Sequence, residues 1–293
     1  MGSTGVVMKI LVAVPVFNEE KYAAPVMREI RKYSRAAALS TSQTFVGSHD
    51  GSGDSAEIRV LVVDDGSTDG TPAILEQMAA QGHIDLITHP ENRGYGQSLI
   101  DAFAFAAARG YDWVITMDCD EQHEPCRIPL FVRECLKDDA DIISGSRYLR
   151  ADWHQVGGPP EDRRNINKTI TELLNSTLRL NVESGEITDA FCGFKAHRIS
   201  AMQRMHLTIP GYAFPMQFWA QAAALDLRIR EIPVKLIYKD ATRHFGGMLD
   251  DPAVRMRHYL DVLSAEIRTL RAAGFPSDSV CCGSGSGCAI ACK

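Results

Sequence analysis

The chain has 293 residues, 31 Lys and Arg against 37 Asp and Glu, a formal charge of -6 at pH 7, and 45% hydrophobic, 8% aromatic and 23% charged residues. Such a chain folds as one large domain and is not a disordered, collagenous or disulfide-scaffold protein. The acidic balance excludes nucleic acid as the principal partner, because phosphate binding leaves a basic footprint.

The apolar run from Val6 to Val16 contains Lys9 and Pro15 and lacks a small-residue cleavage site, so it reads as a buried strand and not a secretion signal. Cytoplasmic residence is the default expectation. No run reaches the roughly 18 to 20 apolar residues of a membrane helix. The first strand is predicted over Val6–Val14, followed by a helix over Glu19–Leu39, a Ser/Gly/Asp-rich loop over Ser40–Ala56 and a second strand over Arg59–Val63. Thr71–Gln81 reads as a helix, Ile84–Thr88 as a strand, Tyr95–Arg109 as an Ala-rich helix and Trp113–Met117 as the fourth strand.

After Asp118 the alternation loosens, with a helix near Ile128–Lys137, a strand at Asp141–Ser144 and a polar helix over Arg163–Leu180. Later strands are expected at Phe191–Ala196 and Leu227–Lys235, and a last helix at Pro252–Ala272 with proline in its first turn. The pattern predicts an α/β fold with a mixed, mostly parallel sheet flanked by helices. Residues 276–293, with Cys281, Cys282, Cys288 and Cys292 among Gly and Ser, read as a flexible tail.

In open sheets the ligand lies outside the carboxyl ends of the strands, so the polar residues after each apolar run carry the chemistry. The first strand ends in Pro15-Val-Phe-Asn-Glu-Glu20, the second in Asp64-Asp-Gly-Ser-Thr-Asp-Gly-Thr71, and the fourth in Asp118-Cys-Asp-Glu-Gln-His123, while Asn92-Arg-Gly-Tyr-Gly96 follows the third. Asp118 and Asp120 are two residues apart on an extended run and share a side, with Gln122 adding a third oxygen. Hard oxygen donors with open positions suit Mg²⁺ or Mn²⁺ bound together with a diphosphate. Taken alone, Asp64–Gly70 is equally a turn built from capping residues.

With Ser144-Gly-Ser-Arg-Tyr148 and Thr188-Asp-Ala-Phe-Cys-Gly-Phe-Lys195 added, these stretches resemble the inverting glycosyltransferases of family 2, which have the GT-A fold. Within that family the chain is most similar to the polyprenyl-phosphate sugar transferases typified by dolichol-phosphate mannose synthase. The resemblance covers about residues 8 to 240. It implies a nucleotide-binding part over about 6–123 and an acceptor-side part over about 124–275. It implies further that Pro15, Phe17 and Glu19 line the base and ribose pocket, that Asp65 binds the base with Arg93 nearby, and that Asp118 contacts the ribose or metal. Asp120 and Gln122 would ligate the ion. Arg147, with Arg163 or Arg164, would bind the acceptor's phosphate, and Asp189 would act as base or organise the acceptor site.

The donor is thus expected to be a GDP- or UDP-linked sugar and the acceptor a polyprenyl phosphate. A soluble glycan, small molecule or protein hydroxyl is the alternative acceptor, and sugar-nucleotide binding without turnover the alternative function. Arg243–Pro252 falls where relatives carry an acceptor-side loop, with Gly246-Gly247 as a candidate hinge. The last helix sets Arg255, Arg257, Arg268 and Arg271 beside an apolar stripe from Tyr259 to Leu270, which fits packing on the domain or peripheral contact with a membrane.

Overall fold

The computed structural model describes residues 7–47, 55–149, 158–237 and 247–275. In chain order these form β1 (Val7–Val16), α1 (Ala23–Gly47), β2 (Ser55–Asp64), α2 (Thr71–Ala80), β3 (Asp85–Thr88), α3 (Tyr95–Ala108) and β4 (Trp113–Thr116). A 3-10 turn at Pro125–Arg127 leads into α4 (Ile128–Leu136), followed by β5 (Ile142–Ser146), α5 (Glu161–Thr177), β6 (Asn181–Val182), β7 (Lys195–Arg198) and α6 (Ile199–Met202). The chain continues through α7 (Phe214–Ala224), β8 (Arg228–Pro233), a second 3-10 turn at Gly247–Asp250, and α8 (Pro252–Ala272). The expected tail, residues 243–246 of the expected acceptor-side loop and the middle of the expected loop at Ser40–Ala56 lie outside the described residues.

The strands make one 8-stranded sheet in the order β3-β2-β1-β4-β7-β5-β8-β6. β1, β2, β3 and β4 are parallel, whereas β7 runs antiparallel to both β4 and β5. The expected mixed sheet is therefore found, and the reversal has a consequence for the site. Val16 pairs with Asp64, so β1 and β2 end at one edge, and Thr116 of β4 pairs with Lys195, so the chain entering β7 starts from that same edge.

Alternation along the parallel strands splits the core in two. Leu11, Ala13, Leu61 and Val63 join the cluster that packs on α3, α5, α7 and α8. Ile10, Val12, Val14 and Val62 face the other way, into the cluster with Met27, Ile30, Leu75 and Phe131 from α1, α2 and α4. Strands buried on both faces read as continuous apolar runs. Each fully buried aliphatic side chain contributes roughly 1.5–3 kcal/mol.

Several boundaries differ from expectation for local reasons. α1 begins at Ala23 and runs to Gly47, past the start of the expected loop at Ser40, because Ser and Thr are tolerated in a helix whose inner face is already packed. α5 spans Glu161–Thr177, with Glu161 and Asp162 in its first turn, where the helix dipole favours acids. The strand expected at Phe191–Ala196 starts only at Lys195; just before it, Gly193 O accepts from the Thr116 side chain at 2.8 Å instead of from a neighbouring strand's backbone. α7 was not expected: almost all its residues are buried, so it has no amphipathic stripe, and Pro215 in its first turn is its one start signal. α8 fits expectation, capped by Asp251, whose Oδ1 accepts from the N–H groups of Ala253 at 2.8 Å and Val254 at 3.0 Å.

Candidate active site

At the ends of β1 and β2 two polar loops are laced together. Asn18 N–H donates to Ser67 Oγ (2.9 Å), Glu19 N–H to Thr71 Oγ1 (2.9 Å) and Glu20 N–H to Asp69 Oδ2 (3.2 Å). In return Thr68 N–H donates to Asn18 Oδ1 at 2.8 Å, and Gly70 N–H to a Glu20 carboxylate oxygen at 3.3 Å. Asp64 closes its own turn by accepting from Ser67 N–H at 3.0 Å. Much of Asp64–Thr71 is therefore loop-building, and it holds Phe17, 44% exposed, with half-buried Pro15 and Glu19 at the edge.

Asp65 is held by its own loop. It is 3% exposed, its Oδ1 lies 2.6 Å from His89 Nδ1 and accepts from Arg93 N–H at 2.9 Å, and its Oδ2 accepts from Gly94 N–H at 2.8 Å. The carboxylate thus braces the loop before α3, with Oδ2 carrying only the Gly94 bond. Arg93 does lie nearby, with its side chain 46% exposed and Nη1 3.2 Å from Asp101 Oδ2.

The glycines of Asn92-Arg-Gly-Tyr-Gly96 serve close packing. Gly94 has φ 101°, and a Cβ there would lie 2.5 Å from Pro210 O. At Gly96 it would lie 2.2 Å from Ile209 O. The segment that presses on them is held from behind by buried Glu266, which accepts from Gln217 Nε2 at 2.9 Å and Gln221 Nε2 at 2.7 Å. Oε1 of Gln217 accepts from Thr208 N–H at 2.7 Å, and Oε1 of Gln221 from His206 N–H at 2.7 Å. None of these three residues is marked by a motif.

Beyond β4 the chain makes a tight turn with Glu121 at φ 59°. Gln122 N–H donates to Asp120 Oδ1 at 3.1 Å, and Asp118 N–H to His123 Nδ1 at 3.0 Å. Burial lowers the His123 pKa to about 4, with Asp120 opposing, so the ring is neutral near pH 7. Its 3.7 Å approach to Asp118 Oδ2 is therefore not an ion pair at that pH. Among the described residues no three His, Cys, Asp or Glu side chains gather as a metal cluster. The donors on this turn are instead two carboxylates and one amide oxygen, Asp118, Asp120 and Gln122. They fit a hard cation that keeps positions for a diphosphate.

Next to this turn lies a cavity of about 200 Å³. Asp118 and Gln122 line one side, and Arg147, Arg163 and Arg255 come from three other elements. Arg147 Nε donates to Asp189 Oδ2 at 2.7 Å and Nη2 to Oδ1 at 2.8 Å. Asp189 is fully buried and also accepts from Arg147 N–H at 3.1 Å and Asn167 Nδ2 at 2.9 Å. Burial alone would raise its pKa, but the Arg147 charge prevails and holds it at about 2. Glu231 of β8 fixes the same stretch, its Oε2 accepting from Thr188 N–H at 2.9 Å and Thr188 Oγ1 at 2.7 Å.

Arg163 lines the cavity together with Ile166 and Asn167, its neighbours on one helical face, whereas Arg164 is exposed. Arg255 is 2% exposed, donates to Leu249 O at 2.7 Å and pairs with Asp162, so it faces inward and does not join Arg257, Arg268 and Arg271 on the outer face. Five aromatic side chains, Tyr95, Tyr148, Phe191, Tyr212 and Tyr259, complete the walls.

The solved structures most like this one include glucosyl-3-phosphoglycerate synthase from Mycobacterium tuberculosis in complex with Mn²⁺, UDP and phosphoglyceric acid. That likeness has a TM-score of 0.57, 18% identity, and coverage of 92% of this chain and 80% of that one. S. aureus TarS in complex with UDP-GlcNAc matches with a TM-score of 0.55, 17% identity, and coverage of 88% and 66%. These likenesses establish the GT-A fold. In sequence, the chain is 29% identical over 209 residues to the undecaprenyl-phosphate mannosyltransferase of Micrococcus luteus, covering 69% of this chain and 82% of that protein. It is 25% identical over 183 residues to the polyprenol monophosphomannose synthase of Mycolicibacterium smegmatis, covering 61% and 66%. The profile described as Glycosyl transferase family 2 matches residues 11–205, and the chain belongs to that family of glycosyltransferases.

Proposed function

We propose that the protein transfers one sugar, with inversion, from a GDP- or UDP-linked donor to the phosphate of a polyprenyl phosphate. A phosphate oxygen attacks the anomeric carbon, the bond to the donor's diphosphate breaks, and the nucleoside diphosphate departs with the electron pair. In this reading residues 6–123 bind the donor and residues 124–275 the acceptor. Phe17, Pro15 and Glu19 offer the edge on which a base and ribose rest.

One observation supports the phosphate acceptor above others: Asp189, the carboxylate nearest Arg147, is fully committed and held at about pKa 2. A hydroxyl nucleophile needs a base within reach, whereas a phosphate is already ionised. Asp189 therefore serves as the anchor that aims Arg147, leaving Nη1 of that fork for the acceptor. Arg163 adds a second cation. The names of the two sequence relatives agree with this acceptor, and UDP in two structural neighbours agrees with a nucleotide donor.

Asp118, Asp120 and Gln122 would hold Mg²⁺ or Mn²⁺, which when bound offsets the charge that develops on the leaving diphosphate. Among the described residues no helix is long and apolar enough to cross a membrane. Peripheral contact would use exposed apolar side chains: Tyr212, which lines the cavity and is 39% exposed, and Met248 (81%) and Val254 (42%) in and just after the turn that leads into α8.

The experiment is transfer of labelled sugar from GDP- and UDP-linked donors to a short polyprenyl phosphate with Mn²⁺ or Mg²⁺. Metal-dependent labelling of the lipid phosphate is expected. Hydrolysis of the donor without any labelled lipid would refute the acceptor assignment.

A further inference from the structure

We propose that Tyr95 is a positioning residue whose hydroxyl sets the Asp118 carboxylate toward the donor's diphosphate and whose ring ties that setting to occupancy of the acceptor cavity. The inference rests on the proposed function and adds a coupling between its two substrates.

The Tyr95 hydroxyl and the Asp118 carboxylate come together against Gly193, and both residues line the cavity. The backbone of Gly193 closes over both groups: a Cβ there would lie 2.8 Å from Asp118 Oδ2 and 2.8 Å from the Tyr95 oxygen. The start of α3 is fixed as well, because Asp65 accepts from Gly94 N–H at 2.8 Å and Gly94 holds φ 101°.

The other side of Tyr95 faces the acceptor. Its ring stacks on Tyr212 with centroids 6.1 Å apart and 15° between planes, and both rings line the cavity. Tyr212 is 39% exposed, and the segment it follows is held by Gln217 and Gln221 on α7. An acceptor that presses on this ring pair therefore acts on the side chain that orients Asp118. By linkage, acceptor binding and binding of the metal-nucleotide must change each other's affinity by the same factor.

The test is Mn²⁺ titration by electron paramagnetic resonance in the presence of GDP or UDP, with and without farnesyl phosphate, alongside steady-state kinetics. In the native protein farnesyl phosphate should tighten Mn²⁺ binding by ~3-fold or more, at the lower end of allosteric couplings. Tyr95→Phe keeps the ring and removes the hydroxyl, and should weaken Mn²⁺ by ~10-fold, the usual effect of losing an outer-shell partner. It should also abolish the farnesyl phosphate effect, lower kcat, and raise the acceptor KM at saturating Mn²⁺ and donor by the same ~3-fold or more that the coupling supplies in the native protein. Tyr212→Leu should remove the coupling while Mn²⁺ binding without acceptor stays as in the native protein. A Tyr95→Phe protein with native Mn²⁺ affinity and native coupling would overturn the proposal. If the native protein bound neither nucleotide with Mn²⁺, the donor reading itself would fail, an outcome distinct from native binding that Tyr95→Phe leaves unchanged.

Discussion

Arg147 and Asp189 meet through two side-chain bonds, at 2.7 and 2.8 Å, with the carboxylate fully buried and the guanidinium side chain 15% exposed. Removing one charge from such a pair leaves the other uncompensated, at a cost of ~3–5 kcal/mol. Asp189→Asn should therefore lower the urea midpoint clearly and cut kcat/KM for the phosphate acceptor by ~100-fold or more, a transition-state loss of ~2.7 kcal/mol. If Asp189 were instead a base, a folded Asp189→Asn protein would lose turnover with its stability and acceptor affinity intact.

Acid should destabilise the fold in two stages. Burial lowers the pKa of His197 to about 3 and that of His123 to about 4, against 6.5 for the free side chain. Between about pH 6.5 and 4 the unfolded chain takes up protons that the folded chain refuses, so stability falls as pH drops, by ~1.4 kcal/mol per pH unit for each histidine. Below about pH 4 Asp189 adds a further loss, because its folded pKa of about 2 lies under the usual 3.8. His197 lies between Phe103 and Phe218, away from the cavity walls. His197→Leu should flatten the first stage in melting curves taken across this range, and an unchanged slope would refute the assignment.

Gly96→Ala places a methyl 2.2 Å from Ile209 O and 3.0 Å from the Phe214 Cβ. Backbone on one side and a packed helix on the other leave little room to relax, so a loss of ~1–3 kcal/mol is expected. Circular dichroism melts would show it. Gly110, whose added Cβ would meet nothing within 4 Å, makes the comparison, although its φ of 67° adds its own strain.

Arg163→Ala should raise the KM for a lipid phosphate by ~10-fold, the loss of one charge-assisted hydrogen bond. Arg164→Ala, at an exposed position outside the cavity, should change it less than ~2-fold. Kinetics on the two variants settle which arginine faces the acceptor, and the reverse result would refute the helical-face argument.

Asp120→Ala should abolish metal-dependent transfer while the melting temperature stays close to native. An active, folded Asp120→Ala protein would remove the metal assignment.

The parallel half of the sheet was legible because buried strands such as Val60–Val63 are unbroken apolar runs and each ends in acids. The residues of Asp118–Gln122, marked in sequence at one strand end, share one turn, and Asp118 and Gln122 line the cavity beside it. The site was not legible where partners come from distant elements: Asn167 and Arg255 line the cavity from α5 and α8, Glu231 of β8 holds Thr188 beside Asp189, and nothing local marks them. The choice of Arg163 over Arg164 was within reach, since Arg163 is three residues before buried Ile166 on the same helical face. Asp65 shows the opposite case, in which a motif residue is recruited by its own loop.

A phosphate acceptor, already ionised and held by arginines, needs no base, whereas a hydroxyl acceptor does. The phosphate acceptor is tested most directly by offering the protein a polyprenyl phosphate and the matching polyprenol side by side, with the same GDP- and UDP-linked sugars and Mn²⁺. Sugar is expected on the phosphate alone and is lost in Arg147→Ala; sugar on the alcohol, or equal transfer to both, would refute the phosphate acceptor.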